Sequence, residues 1–187
     1  QQIDIDVTVT YGAPVYFELS GCSGTVPAGT TCAISYELFD QYGNLMPNSE
    51  GGVLTWSVTD GNFSETEEEF TADHVGTWVL TMTSSSGAGD TLDIVVGHGQ
   101  MAELEIIASN TSITADELVY LNTTRIDVRG NRLPVSLPAQ NWTSIADGTI
   151  QEGAPAIWSP TLRGNKVLEA RYETILQTIE IQVSQGE

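Results

Sequence analysis

One nine-residue stretch occurs twice, and it limits this chain to folds made of two like halves. Phe39-Asp40-Gln41-Tyr42-Gly43-Asn44-Leu45-Met46-Pro47 returns as Ile126-Asp127-Val128-Arg129-Gly130-Asn131-Arg132-Leu133-Pro134. Each copy is an apolar strand end, an Asp, a Gly-Asn turn, and a Pro that closes the segment. An Asp so placed accepts from the backbone N–H groups of the turn that follows it, and the Gly supplies a positive φ at low cost. Asp40, Gly43 and Asn44, with Asp127, Gly130 and Asn131, are therefore read as structural turn residues.

Other landmarks recur at matching distances. Trp56 follows Asp40 much as Trp142 follows Asp127, and the Asp60-Gly61 pair beyond it is matched by Asp147-Gly148. Phe70 stands before Gly76 as Trp158 stands before Gly164, and the closing runs Thr91–Val96 and Thr178–Val183 alternate alike. The whole chain is one unit copied once, and the landmarks divide it into 1–99 and 100–187.

Within each copy the apolar residues recur every second position. Ile3, Ile5, Val7 and Val9 alternate with polar residues, which predicts a half-buried first strand. Ile34, Tyr36 and Leu38 line one face of a later strand, and Leu54, Trp56 and Val58 one face of another. Asp60-Gly61-Asn62 reads as a hairpin turn. No window holds a helical i, i+3, i+4, i+7 pattern. Short strands between Gly, Asn and Pro turns indicate an all-β chain of two β-sandwiches laid end to end. Trp56 and Trp142, in the middle of each copy, are assigned to the two cores on a central strand. Trp78 and Trp158 are assigned to the core as well, with a sugar-stacking face as the alternative.

Charge bears on partners. Residues 1–100 hold fourteen acids and no Lys or Arg, while all six basic residues lie beyond them. A surface with net charge −19 repels phosphates and anionic lipid, which excludes nucleic acid as a partner. With 40% apolar residues the chain still has enough to build cores. No run approaches a membrane span, so insertion within this segment is not expected. Cys22 and Cys32, the only cysteines, flank a short Gly, Pro and Thr-rich loop and are paired as a local disulfide. With the sequons at Asn62, Asn110, Asn122 and Asn141, that pair points to an oxidising, extracellular compartment.

Catalytic motifs are missing. His74 and His98 belong to no HExxH and are read as exposed loop residues, and no G-x-S-x-G elbow occurs. Many acids are present, but none is singled out as a general acid and base pair. No catalytic residue is assigned. No cofactor is expected. Calcium stays open, with Asp4, Asp6, Asp40, Asp60, Asn62, Asp73 and the run Glu65–Glu69 as oxygen donors, although no EF-hand loop occurs. The metal ligands are left unknown.

The order Asp-x-x-Gly-Asn-x-x-Pro, a Trp strand, an Asp-Gly turn, then Gly76-Thr-Trp-Val-Leu-Thr and Leu92-Asp-Ile-Val-Val resembles bacterial Ig-like repeats of the invasin and intimin type. The resemblance covers residues 31–97 and 115–184, and the loop between the cysteines departs from it. It implies two tandem Ig-like β-sandwich domains on a cell-surface or secreted protein, with no catalytic residues. The expected function is a non-catalytic stalk, spacer or adhesion module of a longer chain, with a protein or glycan ligand. The alternative is a carbohydrate-binding or accessory module of an extracellular enzyme, which an exposed coplanar pair of aromatics would favour.

Overall fold

A computed structural model describes residues 6–144 and 147–186. The chain divides into two compact units, Gln1–Gly97 and His98–Glu187. Unit 1 runs through β1 (Pro14–Gly21), β2 (Thr25–Pro27), β3 (Thr31–Asp40), β4 (Leu45–Met46), β5 (Leu54–Val58), β6 (Asn62–Ser64), β7 (Glu69–Thr71), β8 (Gly76–Ser84) and β9 (Gly89–Gly97). Unit 2 runs through β10 (Met101–Ala108), β11 (Ser112–Thr114), β12 (Val119–Asp127), β13 (Arg132–Val135), β14 (Trp142–Ser144), β15 (Thr149–Gln151), β16 (Ala156–Ser159), β17 (Gly164–Tyr172) and β18 (Ile175–Ser184). Two 3-10 turns, Asn48–Gly51 and Ala139–Asn141, are the only helical segments among the described residues.

The two units share one topology. One sheet of unit 1 is ordered β1-β3-β7-β6, with β4 also on β3, and the other is β2-β9-β8-β5. In unit 2 the orders are β10-β12-β16-β15, with β13 on β12, and β11-β18-β17-β14. Alternation along the strands turns one side of each sheet inward, so the two sheets of a unit close on a common core. In unit 1 Phe17, Leu38 and Phe70 from the first sheet meet Leu80, Met82 and Ile94 from the second. In unit 2 Leu104, Leu121 and Trp158 meet Leu168, Ile181 and Val183. Cys32 is registered against Phe70, and Val119 against Trp158, so the indole of unit 2 fills the place of the phenyl ring of unit 1.

Three sequence expectations need correction. Val7 and Val9 are 77% and 88% exposed and residues 6–13 form no strand, while Ile3, Asp4 and Ile5 lie outside the described residues. Among the described residues the first strand is β1, where Phe17 and Leu19 enter the core while Val7 and Val9 stay exposed. The Asp60-Gly61-Asn62 turn is not a hairpin: β5 pairs with β8 and β6 with β7, so it carries the chain from one sheet to the other. Gly61 is needed there for closeness as well as for its φ of 92, since a Cβ would lie 2.4 Å from the Thr71 carbonyl oxygen. Finally, β5 and β14 are the last strands of their sheets, not central ones. Trp142 is buried, but Trp56 is only half-buried, set in a row of rings from Phe17 through Tyr36 to Phe63.

Candidate functional site

The duplicated turn forms a carboxylate latch. Asp40 ends β3 with its side chain wholly inside, 0% exposed. Its Oδ1 accepts the Tyr42 and Asn44 N–H groups at 2.8 and 2.9 Å, and Oδ2 accepts Asn44 Nδ2 at 2.9 Å. Gly43 follows with a φ of 77. Sequence reading did not reveal the remaining donor, the Gly12 N–H at 2.8 Å, 28 residues upstream. Unit 2 repeats the arrangement. Asp127 accepts from Arg129 and Asn131 N–H at 2.9 Å each, from Asn131 Nδ2 at 2.9 Å, and from Gly99 N–H at 2.8 Å, again 28 residues upstream.

These donors favour the ionised acid. The Asn44 amide, with the Gly12 N–H, holds the Asp40 carboxyl far below the usual range. At Asp127 burial pushes the pKa up, but bonds from Asn131, Gly99 and Arg129 outweigh it and bring it to about 2. The latch ties the chain entering each unit to the turn after its third strand. In both units the carboxylate oxygens accept from N–H donors of the chain itself.

Two further carboxylates meet a cationic or ring-nitrogen partner, Asp60 in unit 1 and Asp147 in unit 2. His74 Nδ1 lies 2.9 Å from Asp60 Oδ2, and this contact, with the Gly61 N–H, draws the Asp60 carboxyl below its ordinary value. Trp78 Nε1 donates to the His74 carbonyl oxygen at 3.0 Å. In unit 2 the place of Trp78 is taken by Lys166, buried on β17 with its Nζ 3.8 Å from Asp147 Oδ2. The Thr161 hydroxyl, with the N–H groups of Thr161 and Leu162, lowers Asp147 to about 2. His74 is exposed as expected. His98 is not: its Nδ1 is buried.

Among the described residues, no group of three or more His, Cys, Asp or Glu is placed to hold a metal ion. Cys22 and Cys32 are joined in a disulfide, with Cα atoms 5.2 Å apart. Unit 2 has Ser109 and Val119 at these positions, and the Ser109 hydroxyl accepts the Tyr120 N–H at 3.1 Å. The Asn141 amide donates to the Arg171 carbonyl oxygen, which occupies that sequon.

Two surface features remain. A groove of about 610 Å³ opens in unit 2 where β12 leaves β13 and takes up β16. Its lining, from Ile107 and Leu121 to Ala154 and Pro155, carries no charged side chain, and a Ser136 hydroxyl bond to the Gly153 carbonyl ties two of its walls. In unit 1 the outer face of β1, β3 and β4 bears Tyr16, Phe39 and Leu45 side by side in register. The Tyr16 and Phe39 rings lie 5.1 Å apart at 15°, too close for rings lying edge to edge, so they are stacked on each other.

No family model matches the chain. The inverse autotransporter adhesin YeeJ of Escherichia coli K12 is 30% identical over an alignment of 171 residues that covers 76% of this chain and 7% of that protein. The solved structure of the Escherichia coli adhesin FdeC superposes with a TM-score of 0.52 at 17% identity, over 94% of this chain and 66% of that one. The chain thus spans a small fraction of the curated relative and just under two thirds of the solved one. No helix among the described residues is long and apolar enough to cross a membrane. Sequence and fold together place the chain among bacterial Ig-like domains of the kind carried by cell-surface adhesins.

Proposed function

We propose that this segment is a non-catalytic spacer or adhesion module within a longer surface or secreted protein. The observation that carries the reading is the parallel pairing of the early strand with the last one in each unit. β2 runs alongside β9 through Thr25, Val26 and Pro27, and β11 alongside β18 through Ser112, Ile113 and Thr114. Tension applied at the two ends of a unit pulls such strands in opposite directions along their axes. The hydrogen bonds between them are then loaded together in shear rather than opened one by one, which suits a part that carries load.

Single-molecule extension of the two-unit chain tests this. Two discrete unfolding events are expected, each releasing about 300–350 Å of chain less the span of the folded unit, from ~3.3–3.6 Å per extended residue. Smooth extension without peaks overturns the spacer reading, and turnover of a saccharide substrate overturns the non-catalytic one.

A carbohydrate-binding role draws support from a shallow depression of about 240 Å³ where Trp56 and Phe63 reach the surface beside Asn62 and Glu65. The stacked Tyr16 and Phe39 rings do not add to it, because a sugar ring needs an aromatic face spread flat. Saturable binding of a neutral oligosaccharide at Trp56 would favour this second reading.

A further inference from the structure

The duplication supplies an internal control. A residue type present at equivalent places in both units answers a need of the fold, and one present in a single unit answers something else. On the outer face of unit 1 the in-register row is Tyr16–Phe39–Leu45. The same row in unit 2 is Glu103–Ile126–Arg132. The backbone register is the same, so folding does not require the aromatic pair.

Two residues further along the same face, about 6.6–6.8 Å away, Glu18 stands directly opposite Glu37. Both are exposed, and like charges facing each other across a strand pair are destabilising. Unit 2 has no such conflict: Glu105 faces Thr124 and forms an ion pair with Arg132. Unit 1 cannot answer in kind, because residues 1–100 contain no Lys or Arg. An aromatic stack with Tyr16 exposed and Phe39 half-buried, beside two opposed carboxylates, suits a guanidinium, which is small enough to lie against the Tyr16 ring alone while donating to a carboxylate beside it.

We propose that this face of unit 1 docks an arginine-bearing segment of another protein. The inference rests on the adhesive side of the reading above and names its partner class. A second copy of this chain is a poor occupant, because both units carry net negative charge and two copies repel.

The test is an amide NMR titration of the full chain with N-acetylated, C-amidated tetra-arginine, and separately with tetra-lysine. Saturable shifts are expected at Tyr16, Glu18, Glu37, Phe39 and Leu45, with tetra-arginine binding about 3- to 10-fold tighter than tetra-lysine. Tyr16→Thr removes that preference. Glu37→Thr, which copies Thr124, weakens binding while leaving the melting temperature of unit 1 unchanged or higher, a combination that a merely structural residue would not show.

Shifts spread over the acidic surface of both units, binding insensitive to Tyr16→Thr, or a lower melting temperature in Glu37→Thr would each overturn the proposal. So would equal shifts with maltotriose, or a mass that rises with concentration in sedimentation. The number of unfolding events under force does not depend on whether a peptide binds this face. A chain that ignores tetra-arginine yet unfolds in two events therefore loses this docking site and keeps the spacer reading.

Discussion

Asp127→Ala measures what the latch contributes. Four donors lose their acceptor: the N–H groups of Gly99, Arg129 and Asn131, and Asn131 Nδ2. Asp127 is 5% exposed, so water replaces it poorly at first. Each buried donor left unpaired costs about 1–3 kcal/mol. The Asn131 amide can rotate away and the exposed Arg129 end of the turn can hydrate, so the sum falls at about 3–5 kcal/mol. That is a large part of the ~5–10 kcal/mol expected of a domain this small. With a urea slope of about 1–1.5 kcal/mol/M, the unfolding midpoint of unit 2 drops by roughly 2–5 M. Urea titration followed by resolved amide signals reads each unit separately, with unit 1 and its intact Asp40 as the reference. Asp127→Asn discriminates further. It keeps one acceptor for the Arg129 and Asn131 N–H groups but turns an NH2 toward the Gly99 N–H, so roughly half the loss is expected. A shift below ~1 M for the alanine variant, or an asparagine variant equal to wild type, would refute the latch as a major source of stability.

Acid should expose the same groups. Both carboxyls have folded pKa values below the unfolded value of about 3.9, so their contribution is fully present above that value and is lost as pH falls through the folded pKa. For unit 2 the window is between about 4 and about 2, and for unit 1 the loss continues to still lower pH. Denaturation at a series of pH values from 5 to 2 should show it, with a flatter profile for unit 2 in Asp127→Ala. Replacing Cys22 by Ser and Cys32 by Val copies unit 2 and opens a loop of sequence separation 10. Chain entropy then predicts a loss of about 2–3 kcal/mol, confined to unit 1 and read by the same urea titration. Lys166→Met leaves Asp147 its Thr161 and Leu162 donors, so a change within about 1.5 kcal/mol is expected. A loss above ~3 kcal/mol would mean that the ion pair itself holds the loop.

Much of this was legible before any coordinates. The period-2 alternation in β3, β5 and β8 places apolar residues on one face whatever the neighbouring strand, so it survives transfer from sequence to fold. The turn chemistry of Asp40 and Asp127 is local for the same reason. What failed was long-range. Gly12 and Gly99 carry no side chain to announce that their N–H groups close the latches. The Asp60-Gly61 turn has hairpin composition, yet only the pairing of β5 with β8 shows that it crosses between sheets. Val7 and Val9 alternate like a strand but stay exposed, and periodicity does not say whether a core lies within reach.

The duplication adds what a single sequence otherwise lacks, a second solution to the same folding problem. Both copies keep the latch, the parallel clamp strands and the large ring on the seventh strand, so these are conditions of the fold. The copies part company where unit 1 has a disulfide and unit 2 a serine hydroxyl, and where Trp78 stands in place of Lys166. Those substitutions still satisfy a need, one bond or one packing contact replacing another. The outer row is different in kind. Glu105 and Arg132 settle each other in unit 2, whereas Glu18 and Glu37 oppose each other beside the Tyr16–Phe39 stack, and residues 1–100 hold no Lys or Arg to pair with them. A local conflict that the sister copy shows to be avoidable is best explained by something outside the fold, and the charge of that face favours a cationic partner, as proposed above.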